Sequence, residues 1–305
     1  MFFNLAKRRA GPKRRPARAS ASKARAAGAN NKKRSASISR VRVPDLLPSA
    51  PTRWRWLRTY QRAPAGAQVI VAILAAITLS ITINWIYQVI RKPSELFFPV
   101  SGTLYKTPTE TWSEYAPIFR KHSTLVITPE FLAALAQVEG SGNPIVRTYW
   151  RFSWKPQLFD VYRPASSAVG MYQITDGTFE EARRYCIHNH QVVTEGRWDE
   201  WRSCWFNSLY VRVIPSHAVE LTSAYLDVRV SSILARHRIR KATLKQRQNL
   251  ATLIHLCGAG AGNAYARRGF RLLPGERCGD HDARTYLLRV EAMKRVFGKL
   301  SAQDA

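Results

Sequence analysis

Acidic side chains are scarce in this chain: 20 Asp and Glu stand against 48 Lys and Arg, leaving a formal net charge of +28 over 305 residues. The shortage is extreme at the N-terminus, where residues 1 to 64 hold about eighteen Lys and Arg, the single acid Asp45 and few large apolar residues before Leu46. Such a segment cannot bury enough apolar surface to offset its chain entropy, so a packed core is excluded there and a disordered basic tail is expected. Between Phe3 and Trp54 the tail has no aromatic side chain on which a base could stack, which argues against nucleic acid as a partner and for a solvated arm or one touching anionic lipid. The rest of the chain keeps an excess of about eleven positive charges, so an acidic polymer is the expected partner class.

Other absences narrow the chemistry. No phosphate loop or dinucleotide fingerprint is present, and no internal repeat. There is no Cys-x-x-Cys or His-x-x-x-His pair; the run Cys186-Ile187-His188-Asn189-His190 with Cys204 is too loosely spaced for a typical zinc site, so no metal and no cofactor are expected. His217, His237, His255 and His281 are scattered and support no triad.

One apolar stretch does stand out. Val69 to Ile90 reads VIVAILAAITLSITINWIYQVI, without a formal charge and long enough to cross a hydrocarbon core of about 30 Å, so residues 65–91 are read as one membrane-spanning helix. Trp85 and Tyr87 suit an interface, whereas Asn84 is out of place in lipid. The span lies far from Met1 and lacks a small-residue cleavage pattern behind it, so it is read as a retained anchor rather than a signal peptide. Arg53, Arg55, Arg58 and Arg62 precede it and only Arg91 and Lys92 follow closely, which orients the N-terminus to the cytoplasm. All four cysteines, Cys186, Cys204, Cys257 and Cys278, then lie on the oxidising side, where an even number favours two disulfides. Three connectivities are possible; Cys186 with Cys204 and Cys257 with Cys278 is favoured because each pair closes a local loop.

Beyond the span, residues 92–127 show scattered prolines and aromatics without a sustained period and are read as a stalk with one short helix, giving reach. After Ile127 the pattern turns helical, with short extended runs such as Tyr210 to Ile214, so residues 128–300 are expected to form a mainly α domain. Its first helix is well marked. Thr128 suits the N-cap, Pro129 the first helical position, and Gly140 the stop, with Glu139 at the edge of the apolar face made by Phe131, Leu132, Leu135 and Val138. The negative end of the helix dipole and apolar neighbours disfavour the charged form of that carboxylate, as a general acid requires.

Four motifs in order carry a resemblance. Glu139-Gly140-Ser141-Gly142-Asn143-Pro144 is similar to a Glu-Ser signature followed by Pro, with Gly where Ser is usual. Gly170-Met171-Tyr172-Gln173 is similar to Gly-Leu-Met-Gln; Leu256 to Gly262 to Ala-Tyr-Asn-Ala-Gly, with Cys257 and Gly258 in place of Tyr and Asn; and Asp282 to Leu287 to Glu-Thr-Arg-x-Tyr-Val, keeping Arg284 and Tyr286. On these residues the stretch from Thr128 to Tyr286 resembles the transglycosylase domain of the soluble lytic transglycosylases, a family similar in fold to goose-type lysozyme. The resemblance implies a periplasmic peptidoglycan lytic transglycosylase held at a bacterial inner membrane, working without a cofactor and cleaving the MurNAc-GlcNAc β-1,4 bond to a 1,6-anhydromuramyl product. It implies Glu139 as single acid/base, and Ser141, Gly170, Met171, Tyr172, Gln173, Gly260 and Tyr286 as substrate-binding residues. Expected partners are glycan strands of peptidoglycan and an envelope-spanning machine. A lysozyme-type hydrolase using Asp160, Asp176 or Glu180 to position water, and a non-catalytic wall-binding or assembly module, are the competing expectations. The aromatics between Tyr149 and Tyr162 are expected either to wall the glycan groove or to pack the domain.

Overall fold

A computed structural model describes residues 51–97, 100–153, 161–194, 196, 199–200 and 203–304. The basic tail before Pro51 lies outside the described residues, as does Asp160. The chain divides into two compact units, residues 1–63 and 64–305.

In the first unit, helix α1 (Pro51–Arg62) occupies the end of the segment expected to be disordered. The correction has a local cause. Pro51 suits the first helical position, and the segment Pro51 to Arg62 holds no glycine or further proline to break a helix.

The second unit opens with α2 (Ala65–Arg91), whose residues Ala65–Ile90 are long and apolar enough to cross a membrane. From Val69 to Ile83 every residue is exposed. Two short 3-10 turns, Pro93–Phe97 and Ser101–Thr103, lead to α3 (Pro108–Lys121). A short helix was expected in this segment, but α3 packs into the main core instead of standing apart on a stalk. Thr107 and Glu110 form a capping box around Pro108, and Trp112, Tyr115 and Phe119, on one helical face, are buried in the main core. Pro117 inside the helix obscured that period in the sequence.

The remaining elements are α4 (Pro129–Gly140), β1 (Trp150–Phe152), β2 (Tyr162–Pro164), α5 (Asp176–Ala182), β3 (Tyr185–His188), β4 (Gln191–Thr194), α6 (Pro215–Arg236), α7 (Leu244–Arg267), β5 (Arg277–Cys278), β6 (His281–Asp282) and α8 (Ala283–Gln303). The fold is mainly helical, as expected; the strands form three separate antiparallel pairs, β1 with β2, β3 with β4 and β5 with β6. Tyr210 to Ile214 is a loop, not a strand; the Tyr210 hydroxyl donates to Glu220 at 2.7 Å and its ring stacks on His217.

Helix α4 is the centre of the core. Residues 131–136 are buried on every side, between α3 and α8. Ala133, Ala134 and Ala136 let those helices approach, while burial of Phe131, Leu132 and Leu135 contributes about 1.5–3 kcal/mol each. Its start is as the sequence requires: the Thr128 side chain accepts from the Phe131 N–H, with Pro129 in the first turn. Both favoured disulfides are present, Cys186–Cys204 and Cys257–Cys278, with Cα–Cα distances of 5.4 and 5.3 Å. The second joins α7 to β5 next to Gly258, where φ 81 and ψ 170 interrupt the helix.

Candidate active site

Glu139 sits in the last turn of α4, its side chain only 17% exposed. The chain leaves the helix through Ser141, left-handed at φ 47, whose N–H is bonded to carbonyls of the last turn and whose carbonyl accepts from the Lys106 N–H at 2.8 Å. Fully buried Asn143 holds the next residues, donating to the Ser101 carbonyl at 2.6 Å and accepting from the Ile145 N–H at 2.9 Å. The carboxylate therefore projects from a rigid end.

The second motif lies against the first. A Cβ at Gly140 would stand 3.0 Å from the Met171 carbonyl oxygen and 3.1 Å from both Met171 Cα and Val146 Cγ2. A side chain at residue 140 would therefore force the Met171 backbone or Val146 to shift. Gly170 turns the loop at φ +79, and a Cβ there would lie 2.3 Å from the Arg212 carbonyl oxygen. Arg212 also clamps the loop from outside: its Nη1 donates to Ser167 and Ile174 carbonyls at 3.0 and 2.9 Å and pairs with Asp176 at 2.8 Å.

Met171 and Tyr172, expected to bind substrate, are instead completely buried, with the Tyr172 hydroxyl donating to the Leu132 carbonyl at 3.2 Å. They anchor the loop in the core and present no surface to a ligand. Gln173 serves two ends. Its Nε2 donates to the Gly170 and Val146 carbonyls at 2.9 and 3.2 Å, and its side chain lines a cavity of about 170 Å³. Thr178, Thr222, Tyr225, His255 and Gly258 also line it, and the buried Thr222 hydroxyl has no partner among the described residues. Gly258, rather than the expected Gly260, borders this cavity; Gly260 is exposed on the same helix.

Two side chains meet Glu139. Tyr286, near the start of α8, donates its hydroxyl to Glu139 Oε1. Burial, reinforced by the Glu139 charge, pushes that hydroxyl well above the usual tyrosine range, so it remains a donor throughout the physiological range. His255, on α7, places Nε2 3.7 Å from the same oxygen. Burial lowers its pKa despite the opposing pull of Glu139 and of a bond to the Tyr172 backbone, so the ring is neutral near pH 7 and the contact is not an ion pair. His255 thus touches the carboxylate, the loop after Gly170 and the cavity together. Sequence reading missed it, since one histidine on a helix has no local signature.

Of the expected water-positioning residues, Asp160 lies outside the described residues and the other two are paired with arginines. Asp176 pairs with Arg212, and Glu180 with Arg183. No group of three or more His, Cys, Asp or Glu able to hold a metal occurs among the described residues. Trp150 donates its indole N–H to buried Glu95 at 2.8 Å, while Trp154 and Phe159 lie outside the described residues. Compared with protein-family models and with curated proteins, the sequence matches none.

Proposed function

We propose that this chain is a membrane-anchored peptidoglycan lytic transglycosylase with a lysozyme-like domain, working on glycan strands at the outer face of a bacterial inner membrane. One observation carries the reading: a single carboxylate, Glu139, is gripped by Tyr286 and faced by a neutral His255 beside a cavity lined by Gln173. The meeting of residues from three of the four resembling motifs supports it.

In the proposed reaction the Glu139 carboxyl gives its proton to the glycosidic oxygen as the bond to the muramyl C1 breaks. The carboxylate then takes the proton of the muramyl C6 hydroxyl while that oxygen bonds to C1, closing the 1,6-anhydro ring and restoring the acid. No water is consumed. The N-acetyl group assists at C1 in place of a second carboxylate, and the engagement of Asp176 and Glu180 with arginines favours this course over hydrolysis. The Tyr286 hydrogen bond orients the carboxyl for both transfers. The exposed apolar α2 supports a single-pass anchor, and the two disulfides support placement of the domain in an oxidising compartment.

Digestion of purified cell wall by the full chain in detergent micelles, with product masses recorded, tests the proposal. Anhydromuramyl ends are expected from the wild type, and a loss of about 100-fold or more from Glu139→Gln, the scale of a lost general acid. Reducing ends would indicate hydrolysis; undiminished cleavage by the variant would remove Glu139 from the chemistry.

A further inference from the structure

The pair β1–β2 runs alongside the C-terminal end of α2, held at two levels. Lys92 Nζ donates to the Ser166 carbonyl at 3.3 Å, and Asn84 Nδ2 donates to the Tyr162 carbonyl at 2.7 Å. Lys92 to Asn84 is about 12 Å of helix at 1.5 Å per residue, and Ser166 to Tyr162 about 13 Å of extended chain at 3.3 Å per residue, so strand and helix run side by side. Following β2 backwards from Ser166 to Tyr162 therefore descends along α2 towards its exposed apolar stretch. One side of the helix changes character at the same level: Val69 to Ile83 are exposed, whereas beyond them Asn84, Tyr87 and Gln88 are partly or fully covered by the domain and Trp85, Ile86 and Ile90 stay exposed on the other side.

Residues 65–83, below that level, span about 28 Å, close to a hydrocarbon core of about 30 Å. Asn84 thus marks where the helix leaves the lipid core, and the hairpin rung at its level is Phe152 opposite Tyr162. Phe152 is 71% and Val161 50% exposed, and the rings of Trp150, Phe152 and Tyr162 cluster with centroid spacings of 5.1 and 4.8 Å. One rung further from the core, Arg151 pairs directly with Arg163, and Arg163 borders a cleft with Lys92 and Gln88.

We infer that the β1–β2 hairpin is a membrane-contact element that sets Phe152, Val161 and Tyr162 into the interfacial layer of the bilayer crossed by α2, with Arg151 and Arg163 among its phosphates. The inference rests on reading α2 as a membrane span. Continuity with that helix selects lipid, rather than a glycan strand, as the occupant. Since β2 leads through Ser166 and Ser167 into the loop at Gly170, lipid contact would also steady the candidate site.

The test uses the full chain in nanodiscs of mixed neutral and anionic phospholipid, with an environment-sensitive fluorophore on Leu74→Cys, Phe152→Cys, Val161→Cys or Leu273→Cys and lipids carrying a nitroxide quencher at shallow or deep acyl positions. Loss of fluorescence to the deep quencher is expected for Leu74, to the shallow quencher for Phe152 and Val161, and to neither for Leu273. Quenching at Leu74 with none at Phe152 and Val161 overturns the hairpin's role alone. Absence of quenching at Leu74 overturns the span and the inference with it, leaving the catalytic proposal to its own assay. Phe152→Ser is expected to retain glycan binding; lost glycan affinity with unquenched labels would assign this face to sugar.

Discussion

The contact between Tyr286 and Glu139 makes a demand on rate. A hydrogen bond to a charged group contributes about 1.5–3 kcal/mol, or about ten- to a hundredfold at 1.4 kcal/mol per decade. Tyr286→Phe is expected to lower kcat/KM for wall digestion by that factor while the melting temperature changes little. His255 makes a different demand. Its pKa in the folded protein lies below the ordinary value, so the unfolded chain binds the proton more readily, and the neutral ring's contribution to stability is present above about pH 6.5 and lost as pH falls below it. His255→Gln should therefore show a shallower fall in Tm than wild type between pH 7.5 and 5.5. Some fall remains, because burial lowers His122 in the same direction. Parallel curves would show that His255 does not titrate in this way. Glu139, Gln173 and Tyr286 were legible because motif residues announce themselves by spacing. His255 was not, since only the packing of α7 against the loop after Gly170 brings it to the carboxylate.

Among the elements, the loop from Ser166 to Thr175 is the most tightly determined. It is clamped by Arg212, seated on Gly140 and anchored in the core by Met171 and Tyr172. Gly170→Ala would meet a backbone carbonyl that cannot swing aside, in a left-handed conformation costing about 1–3 kcal/mol. A fall in Tm of about 2–4 °C per kcal/mol is expected from calorimetry. An unchanged Tm would mean that the turn has another conformation available. Helix boundaries set by local chemistry, such as Thr128 with Pro129, were readable in advance. The extent and packing of α3 were not, because Pro117 interrupts its pattern and only the burial of Trp112, Tyr115 and Phe119 reveals it as core.

At the scale of the whole molecule, the two disulfides differ in what they hold. Cys257–Cys278 fixes α7 beside the Gly258 interruption, next to the cavity, whereas Cys186–Cys204 ties β3 to the turn beginning at Cys204. Closing a loop of either size contributes about 3 kcal/mol, so replacing either pair with serines should lower Tm comparably. Only loss of Cys257–Cys278 is expected to lower wall digestion as well. Equal activity in both serine pairs would show that the α7 bridge does not support the site.

Local chemistry in the chain was enough to mark the apolar span, the start and stop of the helix bearing Glu139, the mainly helical character and the pairing of nearby cysteines, because each depends on neighbours a few tens of residues apart at most. Tertiary structure alone decided that Met171 and Tyr172 point into the core, that α3 packs into that core, that His255 faces Glu139, and that Asn84 meets Tyr162. A sequence pattern states that a face must be covered or a polar group satisfied. Which distant surface does so is settled only when all the helices compete for the same core.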